Sequence, residues 1–135
     1  MKVAIGGALP CIYHRAMDVA DLQARLRRFA AERDWDRYHA PKNLAMALAV
    51  EAAELAEIFQ WLTEDESRRA HLDARTHERI ADEVADVLLY LLQVADKCGV
   101  DVEIAARRKL EKNAVKHPPP ASALTDAGRR APDSP

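Results

Sequence analysis

A stripe of apolar residues in the middle of the sequence repeats with the period of an α-helix and contains one acid. The stripe consists of Leu44, Leu48, Glu51, Leu55, Ile58 and Leu62. Steps of three and four residues place these positions on one face, which predicts a helix from about Leu44 to Leu62 with that face buried. A carboxylate at Glu51 is costly there unless it is paired, hydrogen-bonded or bound to a metal.

The composition agrees with a helical protein of one domain. The chain has 135 residues, of which 49% are hydrophobic, enough to fill a single core. Aromatic residues make up only 5% and there are 4 glycines, while Ala, Leu, Glu and Arg are frequent. This balance favours helices over strands, so we expect an all-α fold.

Capping residues predict the ends of the helices. Asp18 can cap a first helix that ends near Asp34, and Asn43 can cap the second helix, which carries the apolar stripe. Both residue types accept hydrogen bonds from the free backbone N–H groups of a first turn. The segment between these two helices reads as a loop.

Two more helices and one short extra helix are predicted in the second half of the chain. A capping box at residues 63–66 can open the short helix. The third helix runs over about residues 76–98, where Gly99 supplies a C-terminal stop. Asp101 caps the fourth helix, which extends to about Lys116 before a run of prolines.

These segments predict a four-helix bundle of antiparallel helices over residues 18–117. Residues 1–17 are expected to be a poorly ordered N-terminal extension, and residues 118–135 a disordered, proline-bearing tail. Apolar residues on more than one side of the third helix suggest that a partner subunit covers part of it. We therefore expect a homo-oligomer, either a dimer or a tetramer.

Charge and cysteine content exclude several classes of partner. The net charge of -2 offers no field for binding a nucleic acid polymer. No stretch is long enough for a transmembrane helix, so no membrane partner is expected. Cys11 and Cys98 lie far apart with no cysteine or histidine cluster, which argues against a disulfide or a zinc site and favours a cytoplasmic protein.

The third predicted helix repeats the association of acids with an apolar face. That face consists of Ile80, Val84, Val87, Leu88, Leu91 and Val94. Glu83 lies at its edge, and Asp86 and Tyr90 continue along the same edge. Two helices thus each present an acidic pair spaced by three residues, Glu51 with Glu54 and Glu83 with Asp86. Four carboxylates beside a core repel one another unless a cation lies among them.

Oxygen ligands without histidine or cysteine indicate a hard cation such as Mg²⁺, and a phosphate compound as substrate. The absence of histidine from both acidic pairs argues against a di-iron centre. The alternative is that these acids form ordinary solvated faces paired with Arg and Lys. Glu57 and Asp82 point further from the apolar faces, and for them exposure is the expectation.

Four short segments give the chain a family resemblance. They read FAAERDW at 29–35, HAPKNL at 39–44, ELAEIFQW at 54–61 and EVADVLLYL at 83–91. In this order they resemble the MazG-like all-α nucleoside triphosphate pyrophosphohydrolases, and within them the dCTP pyrophosphatase branch. The resemblance covers about residues 18–118.

The resemblance implies hydrolysis between the α- and β-phosphates of a deoxynucleoside triphosphate, which gives the monophosphate and pyrophosphate. The metal ligands that it implies are Glu51, Glu54, Glu83 and Asp86, and the metal is Mg²⁺, for which Mn²⁺ could substitute. Metal-assisted attack of water on phosphorus agrees with this ligand set. The carboxylate that takes the proton from water is left open between Glu54 and Glu57.

The same resemblance implies residues that bind the nucleotide. Trp35 and Trp61 match positions that line the base pocket, and Tyr90 matches a residue that packs on the sugar. Lys109 and Asn113 match an element that binds phosphate and sugar or base. For the tryptophans, a place in a core or an interface is the alternative.

One departure from the family leaves the base open. Leu26 stands where dCTP-specific relatives tend to carry a histidine that contacts the base. The substrate is thus dCTP or a related pyrimidine nucleotide such as dUTP or dTTP. The alternatives are another pyrophosphohydrolase of the superfamily, acting for example on phosphoribosyl-ATP, and a helical oligomerisation module without catalytic activity.

Overall fold

Five α-helices joined by short connections make up the part of the chain that the computed structural model describes, residues 17–120. They are α1 (Val19–Ala31), α2 (Pro41–Phe59), α3 (Glu64–Arg69), α4 (Ala74–Lys97) and α5 (Val102–Lys116). Single 3₁₀ turns at Asp36–Tyr38 and Ala70–Leu72 lie before α2 and after α3. Within residues 17–120 there is no β-strand. The predicted all-α class is confirmed, with four long helices and the short extra one.

The terminal predictions fall mainly outside residues 17–120. The predicted N-terminal extension, residues 1–17, lies outside the described residues except for Met17, and the predicted tail lies outside them beyond Pro120. None of the described helices combines the length and apolar character needed to cross a membrane.

The predicted caps of the first and last helices are confirmed. The Asp18 carboxylate accepts a hydrogen bond from the backbone N–H of Asp21 at 3.0 Å, and Asp101 accepts one from Ile104 at 2.9 Å. Each bond satisfies a donor that the first turn of a helix leaves free. The first helix ends at Ala31, earlier than expected, because Asp34 adopts a positive φ of 54° and lies in the turn that follows.

The predicted start of the second helix was wrong. Helix α2 begins at Pro41 with Ala40 as its N-cap, and Asn43 lies inside the first turn. Proline suits the first helical position because it lacks the N–H that would go unpaired there and its φ is already helical. The Asn43 side chain instead donates to the carbonyl oxygen of Tyr38 at 2.9 Å, which ties the preceding turn to the helix. The helix ends at Phe59, before the predicted Leu62.

Local capping hydrogen bonds set the starts of α3 and α4. Thr63 and Glu66 form the predicted capping box, in which the Glu66 carboxylate accepts from the Thr63 backbone N–H at 2.8 Å. Helix α4 begins at Ala74 because the Asp73 carboxylate accepts from the backbone N–H of Thr76 at 2.8 Å. Thr76 is therefore in the first turn and does not start the helix.

The described residues divide into two compact units, with the boundary in the sequence between Val94 and Ala95. In the first unit each long helix contributes one buried residue: Ala30 from α1, Leu44 from α2 and Leu92 from α4. The Gln23 side chain on α1 donates to the carbonyl oxygen of Leu92 at 3.1 Å and so links α1 to α4. In the second unit Ala95 is buried, and the residues of α5 after its first are exposed.

The apolar stripes are less buried than the sequence predicted. Along α2 only Leu44 is fully buried, and Leu62 is exposed beyond the end of the helix. Along α4, Val84 and Leu91 remain 49% and 44% exposed. The prediction of a continuous buried stripe on α2 is thus confirmed in part, because Leu44 is buried and Leu48, Glu51, Leu55 and Ile58 are half-buried, while Leu62 is exposed.

Candidate metal centre

Three of the predicted acids converge. Glu51 on α2 and Glu83 and Asp86 on α4 each direct a carboxylate oxygen into one cluster, in which the three oxygens lie within 4.8 Å of one another. The two acids on α4 share a face because they are one helical turn apart. Glu51 joins them because the apolar side of α2 to which it belongs turns toward the core of the first unit.

Burial makes this cluster unusual for three acids. Glu51 and Glu83 are half-buried, while Asp86 is exposed. The Oε2 atom of Glu83 is fully buried and accepts no hydrogen bond from the described residues. A buried carboxylate oxygen without a donor loses its hydration and gains nothing in exchange, so it requires a partner.

The electrostatics of Glu51 indicate the same requirement. Burial is the main cause that raises the pKa of Glu51, and the charges of Glu54, Asp86 and Glu83 raise it further. The carboxylate of Glu54 is exposed and is not part of the three-residue cluster, although it is near enough to act on Glu51. Of the four predicted ligands, three are thus brought together and Glu54 lies at the margin. The assignment of all four as ligands stays a prediction.

The donor set fits a hard divalent cation. Carboxylate oxygens are the ligands of Mg²⁺ and Mn²⁺, whereas zinc and redox metals favour histidine or cysteine. A cation between Glu51, Glu83 and Asp86 would neutralise their repulsion and give the buried Oε2 atom of Glu83 a partner. The cluster therefore offers the type of ligand that such an ion binds, and the ion would be a partner for the buried Oε2 atom of Glu83.

Glu57, the second candidate for proton transfer, lies on α2 one turn beyond Glu54 and is exposed. Both acids line a shallow groove of about 670 Å³ along α2. Its other lining residues are Ala49, Val50, Ala53, Ala56 and Gln60. Exposure at this position agrees with the expectation from the sequence, and the groove leaves both carboxylates open to water.

Trp35 belongs to an aromatic group at the end of α1. Its ring meets that of Phe29 edge to face with centroids 5.7 Å apart, and the imidazole of His39 lies 6.2 Å away. The Arg33 guanidinium covers the other ring, 3.5 Å from the centroid of Phe29. Trp35 itself stays 44% exposed. Sequence reasoning missed Arg33, although its spacing of four residues from Phe29 signals a contact on a helix.

The other two predicted aromatic contacts differ in exposure. Trp61 follows the end of α2 and is 87% exposed, which excludes a place in the core of the single chain. Tyr90 is half-buried on α4, one turn beyond Asp86. Its position beside an acid of the cluster is the one expected from the sequence.

A second groove lies between α1 and α4. It has a volume of about 430 Å³, and Leu22, Leu26, Phe29 and Leu89 form its apolar part. Arg25, Arg28 and Glu32 line its rim. Leu26, the position that departs from the dCTP-specific pattern, thus faces an apolar surface next to the aromatic group. Leu89 was not singled out from the sequence, since it looks like one more apolar residue of α4.

Lys109 and Asn113 lie on α5 in the second unit, and both are exposed. A spacing of four residues puts them on the same face of that helix. Their role in nucleotide binding stays a prediction.

Comparison with known proteins gives the family. Residues 46–124 match the MazG-like family. The chain is 40% identical over 98 residues to dCTP pyrophosphatase 1 of Homo sapiens and 38% identical to the protein of the same name in Mus musculus. Each match covers 73% of this chain and 58% of the relative, so the chain spans little more than half the length of these proteins.

A solved structure shares the fold. The crystal structure of a pyrophosphatase from Archaeoglobus fulgidus DSM 4304 has a TM-score of 0.70 and 40% sequence identity to this chain. The match covers 80% of this chain and 99% of that one. Together with the match to residues 46–124, it confirms the resemblance predicted from the four segments. The chain belongs to the MazG-like family.

Proposed function

We propose that this protein is a Mg²⁺-dependent nucleoside triphosphate pyrophosphohydrolase. The reaction is attack of water on the α-phosphorus, with cleavage of the bond to the oxygen that bridges the α- and β-phosphates. The products are a nucleoside monophosphate and pyrophosphate. The named activity of the relatives in Homo sapiens and Archaeoglobus fulgidus supports this reaction.

The observation that carries the proposal is the convergence of Glu51, Glu83 and Asp86 around a buried, unpartnered carboxylate oxygen. Like charges are brought together at the cost of repulsion, which a divalent cation and a bound triphosphate would offset. Ordinary solvated acids are not half-buried, and they do not leave an oxygen without a donor. The cluster is therefore better explained as a binding site than as a charged surface.

The chain's own carboxylates have two roles in this proposal. Glu51, Glu54, Glu83 and Asp86 hold the cation, and Glu54 or Glu57 accepts the proton that the attacking water releases. A bound Mg²⁺ supplies charge neutralisation on the phosphates and a lower pKa for water. Both candidate bases border the open groove on α2, where water can reach them.

We assign the base and the sugar to aromatic side chains. Trp35 and Trp61 are exposed enough to stack on a base, and Tyr90 adjoins Asp86 on α4. Lys109 and Asn113 are assigned to phosphate and to sugar or base from the family resemblance. The proposed substrate is dCTP or a related pyrimidine deoxynucleotide. The apolar groove beside Leu26 is the reason to keep dUTP and dTTP as candidates.

The test is steady-state hydrolysis of every common deoxy- and ribonucleoside triphosphate in Mg²⁺, with release of pyrophosphate as the readout. We expect one or more pyrimidine deoxynucleotides to be preferred. Glu54→Gln is expected to lower kcat by about 10²-fold or more, the usual effect of removing a proton acceptor or a metal ligand. Glu78→Gln, a change at an exposed acid on α4, is the matched control and should retain activity.

Two outcomes would contradict the proposal. Unchanged activity of Glu54→Gln would refute the role of that carboxylate. If no triphosphate is hydrolysed and neither Mg²⁺ nor nucleotide raises the melting temperature, the protein is better described as a helical oligomerisation module, since a ligand that binds the native state must stabilise it.

A further inference from the structure

The turn after α1 holds the backbone of Trp35 by hydrogen bonds. Asp34 has a left-handed φ of 54°, which turns the chain back at the end of the helix. The backbone N–H of Trp35 then donates to the carbonyl oxygen of Ala30 at 2.9 Å, and that of Asp34 donates to Ala31 at 3.2 Å. Such a pair of bonds is a common way to close a helix, and it keeps the backbone of Trp35 beside the last turn of α1.

These bonds do not fix the indole ring of Trp35. The residue is 44% exposed, and an exposed side chain exchanges among its rotamers unless its neighbours exclude all but one. Among the described residues, the ring meets Phe29 at 5.7 Å between centroids and His39 at 6.2 Å. Phe29 is the nearer of the two. The orientation of the indole therefore depends on whether Phe29 keeps its own orientation.

The ring of Phe29 is in turn held by Arg33. Phe29 lines the apolar groove between α1 and α4 but is 46% exposed, so burial alone does not fix it. The Cζ atom of the Arg33 guanidinium lies 3.5 Å from the centroid of the ring, which is a close cation–π contact. With one face covered in this way, Phe29 is kept from turning out into water.

A hydrogen bond holds the Arg33 guanidinium in this place. The carbonyl oxygen of Phe29 loses its regular helical donor, because the backbone N–H of Arg33 donates to Ala30 at 3.2 Å. The side chain replaces that donor, since Nη1 of Arg33 donates to the carbonyl oxygen of Phe29 at 3.0 Å. One guanidinium thus caps the end of the helix and covers the ring, which suits a planar group with several donors.

We propose that Arg33 is a positioning residue, which acts through Phe29 to hold the indole of Trp35 in an orientation where a base can stack on it. This inference rests on the role proposed for Trp35 in nucleotide binding. Without Arg33, the indole is spread over several orientations. The apparent affinity for nucleotide then falls in proportion to the fraction of molecules in the competent orientation.

Direct binding of phosphate by Arg33 is the competing explanation, because arginine often binds phosphate. The two roles differ in the free protein. If Arg33 binds phosphate, Arg33→Ala leaves the indole of Trp35 unchanged until a nucleotide is added. If Arg33 positions the indole, the same variant changes its orientation before any nucleotide is present.

The first measurement is therefore made without nucleotide. Trp61→Phe leaves Trp35 as the sole indole, whose near-UV circular dichroism and fluorescence anisotropy report how firmly the ring is held. In this background Arg33→Ala should reduce both signals, while the far-UV spectrum shows the helix content unchanged. The proposal is overturned if both signals equal those of the Trp61→Phe parent.

Arg37→Ala in the same background is the matched control. The Arg37 guanidinium also lies over an aromatic ring, 4.8 Å from the centroid of Tyr38, and it belongs to the turn that follows Trp35. This variant removes the same charge without touching Phe29, so both signals should stay at the parent value. An equal reduction by Arg37→Ala would overturn the proposal, because the effect would then follow from lost charge near the turn.

Phe29→Leu tests the route from Arg33 to Trp35. It keeps an apolar side chain in the groove and removes the ring, so it should reduce the two signals as Arg33→Ala does. Adding Arg33→Ala to Phe29→Leu should reduce them no further, because residues that act in series are not additive. A further reduction in the double variant would overturn the action through Phe29.

The second measurement is steady-state hydrolysis, made with Trp61 intact. Arg33→Ala should raise the KM of the preferred triphosphate about fivefold, the order expected for loss of an exposed cation–π contact, and leave kcat unchanged within about twofold. Reduced optical signals with an unchanged KM would support the positioning by Arg33 and contradict the role of Trp35 in nucleotide binding. A protein that hydrolyses no triphosphate still gives the optical result, so failure of the proposed function is distinguishable from failure of this inference.

Discussion

Glu51 on α2 and Glu83 on α4 hold carboxylate oxygens within 4.8 Å of each other, and both residues are half-buried. Repulsion between the two charges and the loss of hydration both act against folding when no cation is bound. The raised pKa of Glu51 has these causes, with burial first. The acidic cluster thus opposes folding when no cation is bound. Neutralising one of its acids should therefore stabilise the cation-free protein.

The first prediction is that Glu51→Gln does not destabilise the metal-free protein and loses the response to metal. In a chelator, the free energy of unfolding should stay level or rise, because a repelling charge is removed and the shape is kept. Addition of Mg²⁺ should raise the melting temperature of the wild type but not of the variant. Thermal melts with chelator and with Mg²⁺ measure both effects.

Glu78→Gln is the control for these melts, because it neutralises an exposed acid of α4. It should respond to Mg²⁺ as the wild type does. A Glu51→Gln variant that melts much lower in chelator and still gains stability from Mg²⁺ would show that Glu51 is a structural acid with a partner of its own.

The second prediction concerns the pH dependence of stability that the capping residues between α2 and α4 produce. Hydrogen bonds from Thr63 lower the pKa of Glu66, and hydrogen bonds from the side chain and the backbone N–H of Thr76 lower the pKa of Asp73. A carboxylate with a lowered folded pKa stabilises the protein above its unfolded value, here 4.5 for Glu66 and 3.8 for Asp73. This contribution is lost as the pH falls through the lowered pKa values.

Urea unfolding at pH 7, 5 and 3 measures this effect. Glu66→Gln should be less stable than the wild type at pH 7, and the difference should shrink as the pH falls and Glu66 becomes protonated. Thr63→Ala removes the capping hydroxyl and should cost about 1 kcal/mol at pH 7. A difference between Glu66→Gln and the wild type that is the same at all three pH values would contradict the capping role.

The capping box and Gly99 could be predicted because their signals are local. Thr63 and Glu66 satisfy each other within one turn, and a glycine after a long helix marks its end wherever that helix packs. The start of α2 was misjudged because two local signals compete. Asn43 is a good cap, but Pro41 fits the first helical position and begins the helix earlier.

The burial of the acids could be predicted only in part. The place of Glu51 in an apolar stripe showed that its carboxylate would be buried at a cost in free energy. This could be predicted because all the residues of the stripe are close together in the sequence. The buried oxygen of Glu83 could not be foreseen, because its position at the edge of the α4 face depends on how α4 packs. The exposed apolar side of α2 was missed for a similar reason: its small residues look like helix formers until the structure shows which side the core covers.

The third prediction is that Gly99→Ala destabilises the protein by about 1 kcal/mol. Gly99 ends α4 with a φ of 64°, a left-handed conformation that side chains disfavour. Among the described residues, no atom beyond Gly99 and its two chain neighbours lies within 4 Å of the position that a Cβ would take, so the cost comes from the backbone and not from a clash. Chemical denaturation of the two proteins measures the difference.

Gly99→Asn separates the backbone effect from a loss of packing. Asparagine tolerates left-handed φ better than alanine does, so this variant should be less destabilised even though its side chain is larger. Greater destabilisation by asparagine than by alanine would indicate crowding and contradict the interpretation.

The last prediction uses Trp61 as its own probe. The chain has 2 tryptophans, so Trp35→Phe leaves Trp61 as the sole indole fluorophore. At 87% exposure, Trp61 should be readily quenched by acrylamide in the single chain. If a base stacks on it, a pyrimidine deoxynucleoside triphosphate with Mg²⁺ should lower the quenching constant by about twofold, because one face of the ring becomes covered.

Pyrophosphate with Mg²⁺ is the matched control, since it carries phosphate charge and no base. It should leave the quenching of Trp61 unchanged while raising the melting temperature. Equal protection by pyrophosphate would mean that the change at Trp61 follows from subunit association or from metal binding. Protection by nucleotide alone requires contact between Trp61 and the nucleoside, which would place the base at the C-terminal end of α2, beyond Glu54 and Glu57.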